Sequence, residues 1–594
     1  MKFKIFLLFI FSCLTSFGAE IKYSLSFPEA QAHYVHVQMS VTDFKGGDML
    51  VKMPVWAPGS YLVREFSKSV EQVSAKSGGQ SLRVEKVSKN TWRIKAGKNK
   101  QVDVSYAVYA NELSVRTSYV DEEHAYLNGT SVFMYVPGLE KTRHRVVVSP
   151  RDSWKKISVA LDRYKSDNAW DVIAPDYDEL VDAPFEIGNH IVFDFTAAGV
   201  RHEVAMFGEG NYNIERLKKH MTTVVEKSTA VFGEHPCKYY LFIVHNLTSG
   251  GGGLEHKNST TLQTNRWSYG SESSYAGFMS LVAHEYFHLW NVKRLRPQPL
   301  GPFNYDEENY TSMLWIAEGF TAYYDDLLAK RCGFYSENEY LKTLAGNISY
   351  VDNIRGGPYQ SLAESSFDAW IKYYRPNENS GNSSVSYYTK GGVMGAMLDL
   401  RIRKVTANKK SLDDVFREMY LLYAKKLDRG YTEAEFIAMV NKISGKDFTA
   451  FFNDYVNGVK TVPFASMLQE SGLVLNDLNK KQPAMWIGVT TSSSTGKLSV
   501  SAIERGSPAW VAGVNTGDEV LALDEYRVND DLSKLLAMKG KGDKVTLLVS
   551  RNGFIKSFTM EVLPAPHVKY ELSLASTATE EQKAMFNNWL YGSK

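Results

Sequence analysis

The chain has 594 residues, 44% of them hydrophobic, enough for about three or four domains. Its 68 basic and 66 acidic residues leave a net charge of +2, which gives no case for binding nucleic acid or an anionic membrane through bulk charge. Three cysteines cannot build a disulfide framework, and none sits in a nucleophile-like setting, so a cysteine mechanism is disfavoured.

Residues 1–18 have the anatomy of a secretory signal: Lys2 and Lys4, apolar residues from Ile5 to Phe11, then small residues ahead of a cleavage point just before Ala19 or Glu20. The expectation is an exported protein, periplasmic or secreted. Phe11 and the early position argue against lipid attachment at Cys13. No other stretch is long and apolar enough to span a bilayer, so no transmembrane anchor is expected. Cys237 and Cys332 then remain, and a single bridge between them is neither favoured nor excluded by their separation.

Residues 19–200 alternate in strand fashion over Tyr34–Val41, Met49–Met53, Val102–Val108 and Val132–Val136, with turn clusters at Gly46-Gly47 and Gly78-Gly79 between them. This predicts an antiparallel, sandwich-like β domain. The segment from Trp56 to Tyr61, with Pro58 and Gly59, reads first as a structural turn.

Residues 201–475 change to helical patterning. A helix is expected near Tyr212–Val231 and a strand at Tyr239–Val244. Glu255 follows four glycines, Gly250 to Gly253, and precedes Ser259–Thr264, which reads as an edge strand. Glycine lets backbone approach a ligand closely, so Gly252 and Gly253 are candidate substrate-binding positions. The Glu255 carboxylate can pair with a peptide's α-ammonium; a flexible turn bearing a solvated Glu is the plainer alternative.

His284-Glu285-Tyr286-Phe287-His288 lies in an apolar run, Tyr275 to Val292, that reads as a buried helix. Residues four apart share a helix face, so both imidazoles can reach one ion while Glu285 projects beside its open position. That is the arrangement of a zinc peptidase, in which the metal acidifies water and the carboxylate takes its proton. Asn291 to Asn309, with three prolines, reads as a long loop, and a second helix is expected over Glu307–Lys330. Glu318 is an isolated carboxylate on an apolar stretch, costly to bury unless paired or bound to metal, and is the candidate third ligand. Asp325, two turns on, shares its face and can orient a ligand histidine, or lie on a solvated face beside Asp326. A further apolar helix opens after Tyr387-Tyr388-Thr389-Lys390-Gly391-Gly392, and helix starts carry cap signals near Ser411, Thr432 and Asp447.

Taken together, the run from His284 to Pro297, Glu318-Gly319-Phe320-Thr321 and Gly252 to His256 resemble the glycyl aminopeptidase family of zinc metallopeptidases, whose members carry a PDZ domain. The resemblance covers nearly all of the mature chain. It implies a thermolysin-like, mainly helical catalytic domain holding one Zn²⁺ on His284, His288 and Glu318, with Glu285 as general base. The thirty residues from His288 to Glu318 exceed the usual spacing of thermolysin-like enzymes. Glu255 resembles the glutamate of the Gly-x-Met-Glu-Asn element that anchors a substrate amino terminus. Tyr388 matches a Tyr-x-Lys-Gly pattern whose hydroxyl stabilises an oxyanion, with Tyr387 as the alternative. Trp56 to Tyr61 and Asn128-Gly129-Thr130 look like the family's N-terminal domain. The implied activity is aminopeptidase action on peptides with free amino termini and small first residues, Gly or Ala.

Residues 484–565 resemble a bacterial-type PDZ domain, through Trp486-Ile487-Gly488-Val489, Gly506-Ser507-Pro508-Ala509 and Gly517-Asp518-Glu519-Val520. In that fold the loop around Ile487, Gly488 and Val489 receives a peptide C-terminus and the peptide adds a strand. A PDZ used only for packing is the other reading. Residues 566–594 form a tail with a short helix over Thr579–Leu590, with Thr577 and Glu580 at capping-box spacing. The expected class is therefore multi-domain α+β. Other functions left open are a PDZ-assisted zinc endopeptidase and a non-catalytic peptide-binding protein; the sequence does not address oligomeric state.

Overall fold

In the first strands, alternating side chains bury one face: Glu20–Ser26 and Tyr34–Val41 each point every second residue inward in the computed structural model, which describes residues 20–165, 167–494 and 496–592. The expected signal segment and Cys13 lie outside the described residues. The chain divides into two units. One runs to Val55 and from Glu65 to His190; the other comprises Trp56–Arg64 and everything from Ile191.

The first unit is a β structure with an eight-stranded sheet and smaller sheets of four and three strands. Most pairings are antiparallel, but Glu20–Ser26 runs parallel to Arg143–Ser149. More than a hundred residues separate the two, ample for the crossover that parallel strands require. The expected strand at Val132–Val136 does not form. That segment is buried, and tyrosine hydroxyls take the place of a partner strand. Tyr106 donates to Val132 O at 3.0 Å, Tyr177 to Phe133 O at 2.7 Å and Tyr23 to Met134 O at 2.7 Å. Buried carbonyls must be satisfied, and here side chains do it.

The second unit begins with a five-stranded sheet in the order Ile191–Ala197, Val200–Phe207, Tyr239–Leu247, Ser259–Asn265, Gly252–Glu255. Ser259–Asn265, expected at an edge, is interior, which agrees with the near-complete burial of its side chains. The edge is Gly252–Glu255, whose glycines have no side chain to bury and whose outer backbone carries no strand. Helices follow at Ile214–Phe232, Glu272–Phe287 (the histidine helix), Phe320–Arg331 (the glutamate helix), Glu337–Asn353 and Thr389–Val405 (the tyrosine helix).

Two boundaries differ from expectation. The histidine helix ends at Phe287 rather than Val292, with His288 as its cap, because the chain tightens: Leu289 N–H bonds Tyr286 O at 3.1 Å and Trp290 N–H bonds Phe287 O at 3.1 Å. The region from Glu307 to Met313 is not helical. Asn304 N–H donates to Asn309 Oδ1 at 2.9 Å and Asn309 Nδ2 to Asn304 O at 2.7 Å, side-chain bonds that compete with helical ones. Helical structure resumes with a π-helical turn over Trp315–Gly319 that leads into the glutamate helix.

Residues 486–562 form a sheet whose edge strand, Val489–Ser494, follows the Ile487-Gly488 loop. The last helix spans Glu580–Tyr591, capped by Thr579 with Gln582 rather than by Thr577 with Glu580. Its Trp589 is fully buried and donates to the Tyr323 hydroxyl at 2.9 Å, so the tail closes on the back of the glutamate helix. Cys237 and Cys332 are free thiols. Among the described residues no helix is long and apolar enough to cross a membrane.

The glutamate and tyrosine helices meet through glycines. A Cβ on Gly319 would lie 2.6 Å from Gly391 Cα, and one on Gly391 would lie 2.9 Å from Gly319 Cα. Because overpacking a tight contact costs about 1–3 kcal/mol, Gly391→Ala is expected to lower the urea midpoint by a corresponding amount with an unchanged slope. An unaltered midpoint would mean that the helices have room to separate.

Candidate active site

Ser271 caps the histidine helix, accepting from Ser274 N–H at 3.2 Å, and the helix is buried on most of its circumference. The four-residue spacing puts His284 and His288 on one face, their Nε2 atoms 3.2 Å apart. Both Nδ1 atoms are committed. That of His284 donates to Asp325 Oδ2 at 2.7 Å, and that of His288 donates to the Asn291 carbonyl at 2.7 Å. Each Nδ1 proton is thus held outward, and the two Nε2 atoms face each other. Glu318 Oε2 completes the group at 3.3 Å from His288 Nε2 and 3.8 Å from His284 Nε2.

Two imidazole nitrogens and a carboxylate oxygen, all within 4.8 Å of one another, make a place that attracts positive charge. This donor set, two imidazoles and one carboxylate, fits a zinc site with positions left open. The electrostatics agree. Burial works against charge on both imidazoles, yet Asp325 and Glu318 beside His284, and Glu318 and Glu255 beside His288, raise their pKa values. Burial would also raise Glu318, but the imidazoles outweigh it and hold that carboxyl at about 2.

Glu285 and Glu255 form an adjoining group with His288. Burial pushes the Glu285 carboxyl up to about 7, against the opposing pull of the two imidazoles. Both carboxylates are placed by glycines. A Cβ on Gly253 would lie 2.4 Å from Glu285 Oε1, and one on Gly59, at φ +87°, 2.4 Å from Glu255 Oε1. Gly252 has open space around it. Three buried carboxylate oxygens, Glu255 Oε1, Glu285 Oε2 and Glu318 Oε1, have no hydrogen-bond partner among the described residues. Each is costly to leave so, and together they describe a site built for groups the chain does not itself supply.

Tyr388, at the start of the tyrosine helix, faces His284 with ring centroids 6.5 Å apart and planes 25° from parallel. Burial, then the Glu318 charge, push its phenol well above the usual range, so it keeps a proton to donate. Tyr387 is fully buried, and its hydroxyl has no hydrogen-bond partner among the described residues. Ile487, Gly488 and Val489 belong to the C-terminal sheet region: Ala509 N–H bonds Ile487 O and Glu504 N–H bonds Gly488 O, each at 2.9 Å.

One residue at the site was given no role from sequence, and one segment was read there as a turn. Asn291 is fully buried; besides accepting from His288, it donates to Ile316 O at 2.9 Å and Ala317 O at 3.2 Å, tying the second histidine to the turn that carries Glu318. Its position three residues after His288 was the available signal. The turn at Trp56–Arg64, read as structural, lies against Glu255 through Gly59. Tyr61 beside it is buried, and its phenol is pushed up by burial and by the Glu318 and Glu255 charges.

Comparison with known proteins places this geometry. Residues 22–189 match the Peptidase M61 N-terminal domain, residues 277–394 match M61 glycyl aminopeptidase, and residues 486–562 match a PDZ domain. A solved structure of an aminopeptidase N family protein from Idiomarina loihiensis is 30% identical with a TM-score of 0.89, covering 96% of this chain and 100% of that one. A variant of the M1 zinc metallopeptidase from Deinococcus radiodurans, bound to a Tyr-Ser-Ala substrate, is 13% identical with a TM-score of 0.47, covering 75% of this chain and 94% of that one. No curated relative matches the chain. The likeness over nearly the whole length, with a donor set suited to zinc, makes this chain a member of the M61 glycyl aminopeptidase family and a zinc metallopeptidase of the aminopeptidase type.

Proposed function

We propose that the enzyme removes the first residue from peptides with a free amino terminus, favouring small first residues, Gly or Ala, and that it acts after export. The observation that carries this reading is the buried, half-unpartnered Glu255 carboxylate, within 4.8 Å of Glu285 and His288. An anion at that place pairs with an α-ammonium and sets the first carbonyl at the His284–His288–Glu318 group, one residue in. The Gly59 backbone against Glu255 leaves little depth there, which supports small first residues.

His284, His288 and Glu318 would hold one Zn²⁺, with Asp325 and Asn291 fixing the imidazoles. Bound there, zinc supplies the Lewis acidity that lowers the pKa of water and polarises a carbonyl. Glu285 takes the proton of the attacking water and passes it to the departing amine. Its burial suits that exchange, because a carboxyl raised toward neutrality both accepts and releases a proton. Tyr388 donates a hydrogen bond to the carbonyl oxygen as negative charge develops. At the C-terminal module, the backbone N–H groups around Ile487, Gly488 and Val489 receive a peptide carboxylate, the peptide pairing along Val489–Ser494.

Glu285→Gln is expected to keep stoichiometric zinc by elemental analysis and to lower kcat about 10²–10⁴-fold; near-normal turnover would remove Glu285 from the mechanism. Asp325→Asn is expected to weaken zinc about 10–100-fold in competition with a chelator, and unchanged metal affinity would leave Asp325 a merely neighbouring acid. An Ala-leading peptide with a free terminus should lose its first residue, read by mass, while its acetylated form is spared. Glu255→Ala should cost about 2 kcal/mol or more in kcat/KM on the free form. Internal cuts in both forms would make the enzyme an endopeptidase.

A further inference from the structure

Behind His284 lies a cavity of about 290 Å³ whose lining includes Ser280, Asp325, Asp326, Tyr340, Asn347 and Tyr388. Ser280 stands one turn before His284 on the histidine helix, and Asp325 bonds the His284 imidazole, so the cavity adjoins the metal-binding group on its His284 side. Glu255 adjoins the same group on the other side, through Glu285 and His288. Tyr388, the proposed oxyanion donor, also lines the cavity, so it lies beside the place proposed for the substrate's first carbonyl.

The lining is acidic. Asp325 spends an oxygen on His284. The Asp326 carboxylate beside it has no hydrogen bond or ion pair among the described residues, and burial together with the Asp325 charge pushes its carboxyl well up. Tyr340, 1% exposed, also lines the cavity, and its hydroxyl has no hydrogen-bond partner among the described residues. With Asp325 committed to His284, the Asp326 carboxyl, the Tyr340 phenol and the Asn347 amide make an environment that a positive charge with several N–H donors relieves. A neutral side chain would leave these groups unpaired, and an acidic one would add a third like charge.

We propose that this cavity receives the side chain of the substrate's second residue and selects lysine or arginine through Asp326. The inference rests on the amino-terminal anchoring proposed above. It concerns the residue that becomes the new amino terminus after cleavage, whereas Glu255 and Gly59 concern the first.

The test reads binding apart from turnover. Zinc-loaded Glu285→Gln protein is titrated by calorimetry with Ala-Lys-Ala, Ala-Leu-Ala and Ala-Glu-Ala, and the same peptides are run with the wild-type enzyme for kcat/KM. The Lys peptide is expected to bind about tenfold or more tighter than the Leu peptide, with the Glu peptide weakest. Adding Asp326→Asn, a near-isosteric change, should bring the Lys and Leu peptides to within about twofold of each other. Equal affinities for the three peptides would overturn the proposal, as would a lysine preference that survives both Asp326→Asn and Asp326→Ala. Failure of the wild type to release the first residue would instead fault the aminopeptidase reading, because the order of affinities does not depend on cleavage.

Discussion

Much of this architecture answers to one constraint: two imidazole nitrogens are held 3.2 Å apart in a buried pocket beside a carboxylate. Such a group is unfavourable without positive charge, and the surrounding chain forces it to exist. Asp325 and the Asn291 carbonyl fix both Nδ1 hydrogens outward. Asn291 also grips the carbonyls of Ile316 and Ala317, so the second histidine cannot move without the turn that carries Glu318. The turn that carries Glu318 is π-helical, a form frequent at functional sites. The tail helix, bonded through Trp589 to Tyr323, braces the glutamate helix from behind.

Glycine does the complementary work of bringing carboxylates to the group. Gly253 admits Glu285, Gly59 admits Glu255, and the Gly319–Gly391 contact brings the start of the tyrosine helix against the turn that holds Glu318. Any side chain at these places would fill space the carboxylates or helices occupy. The result is three buried oxygens without hydrogen-bond partners among the described residues, each costing about 1–3 kcal/mol in the free protein. That cost is lowered when metal and peptide bind, so part of the substrate's binding energy originates in the fold's own unsatisfied groups.

The parts legible in sequence were those whose geometry is local. The four-residue spacing of His284 and His288 is a property of any helix, and Glu318 stood out as a charge within an apolar run. Capping boxes at Ser411 and Thr432 needed only three residues each to be read, and both form. What escaped were features decided by distant chain. Val132–Val136 alternates like a strand, yet its carbonyls go to tyrosines from three different places. Ser259–Asn265, expected at an edge, is interior because burial on both faces, not periodicity, makes a strand interior. The turn at Gly59 lies about two hundred residues from Glu255 in the chain, and no local pattern joins them.

The C-terminal module obeys the same rule of buried polar satisfaction. Asn382 is buried; its Nδ2 donates to Ile503 O at 2.8 Å and its Oδ1 accepts from Arg505 N–H at 2.8 Å. Glu504 pairs with Arg355 and, at 2.7 Å, with His567, while its own N–H bonds Gly488 O. The residues that support the Ile487-Gly488 loop are thus also those that fasten the module to the helical region, six residues ahead of Tyr388. Replacing Asn382 by an apolar residue would strand an N–H and a carbonyl in the interface, a penalty that cannot be relieved without separating the two surfaces. A module attached in this way is an integral part of the enzyme, oriented by the same segment that delivers Tyr388 to the site.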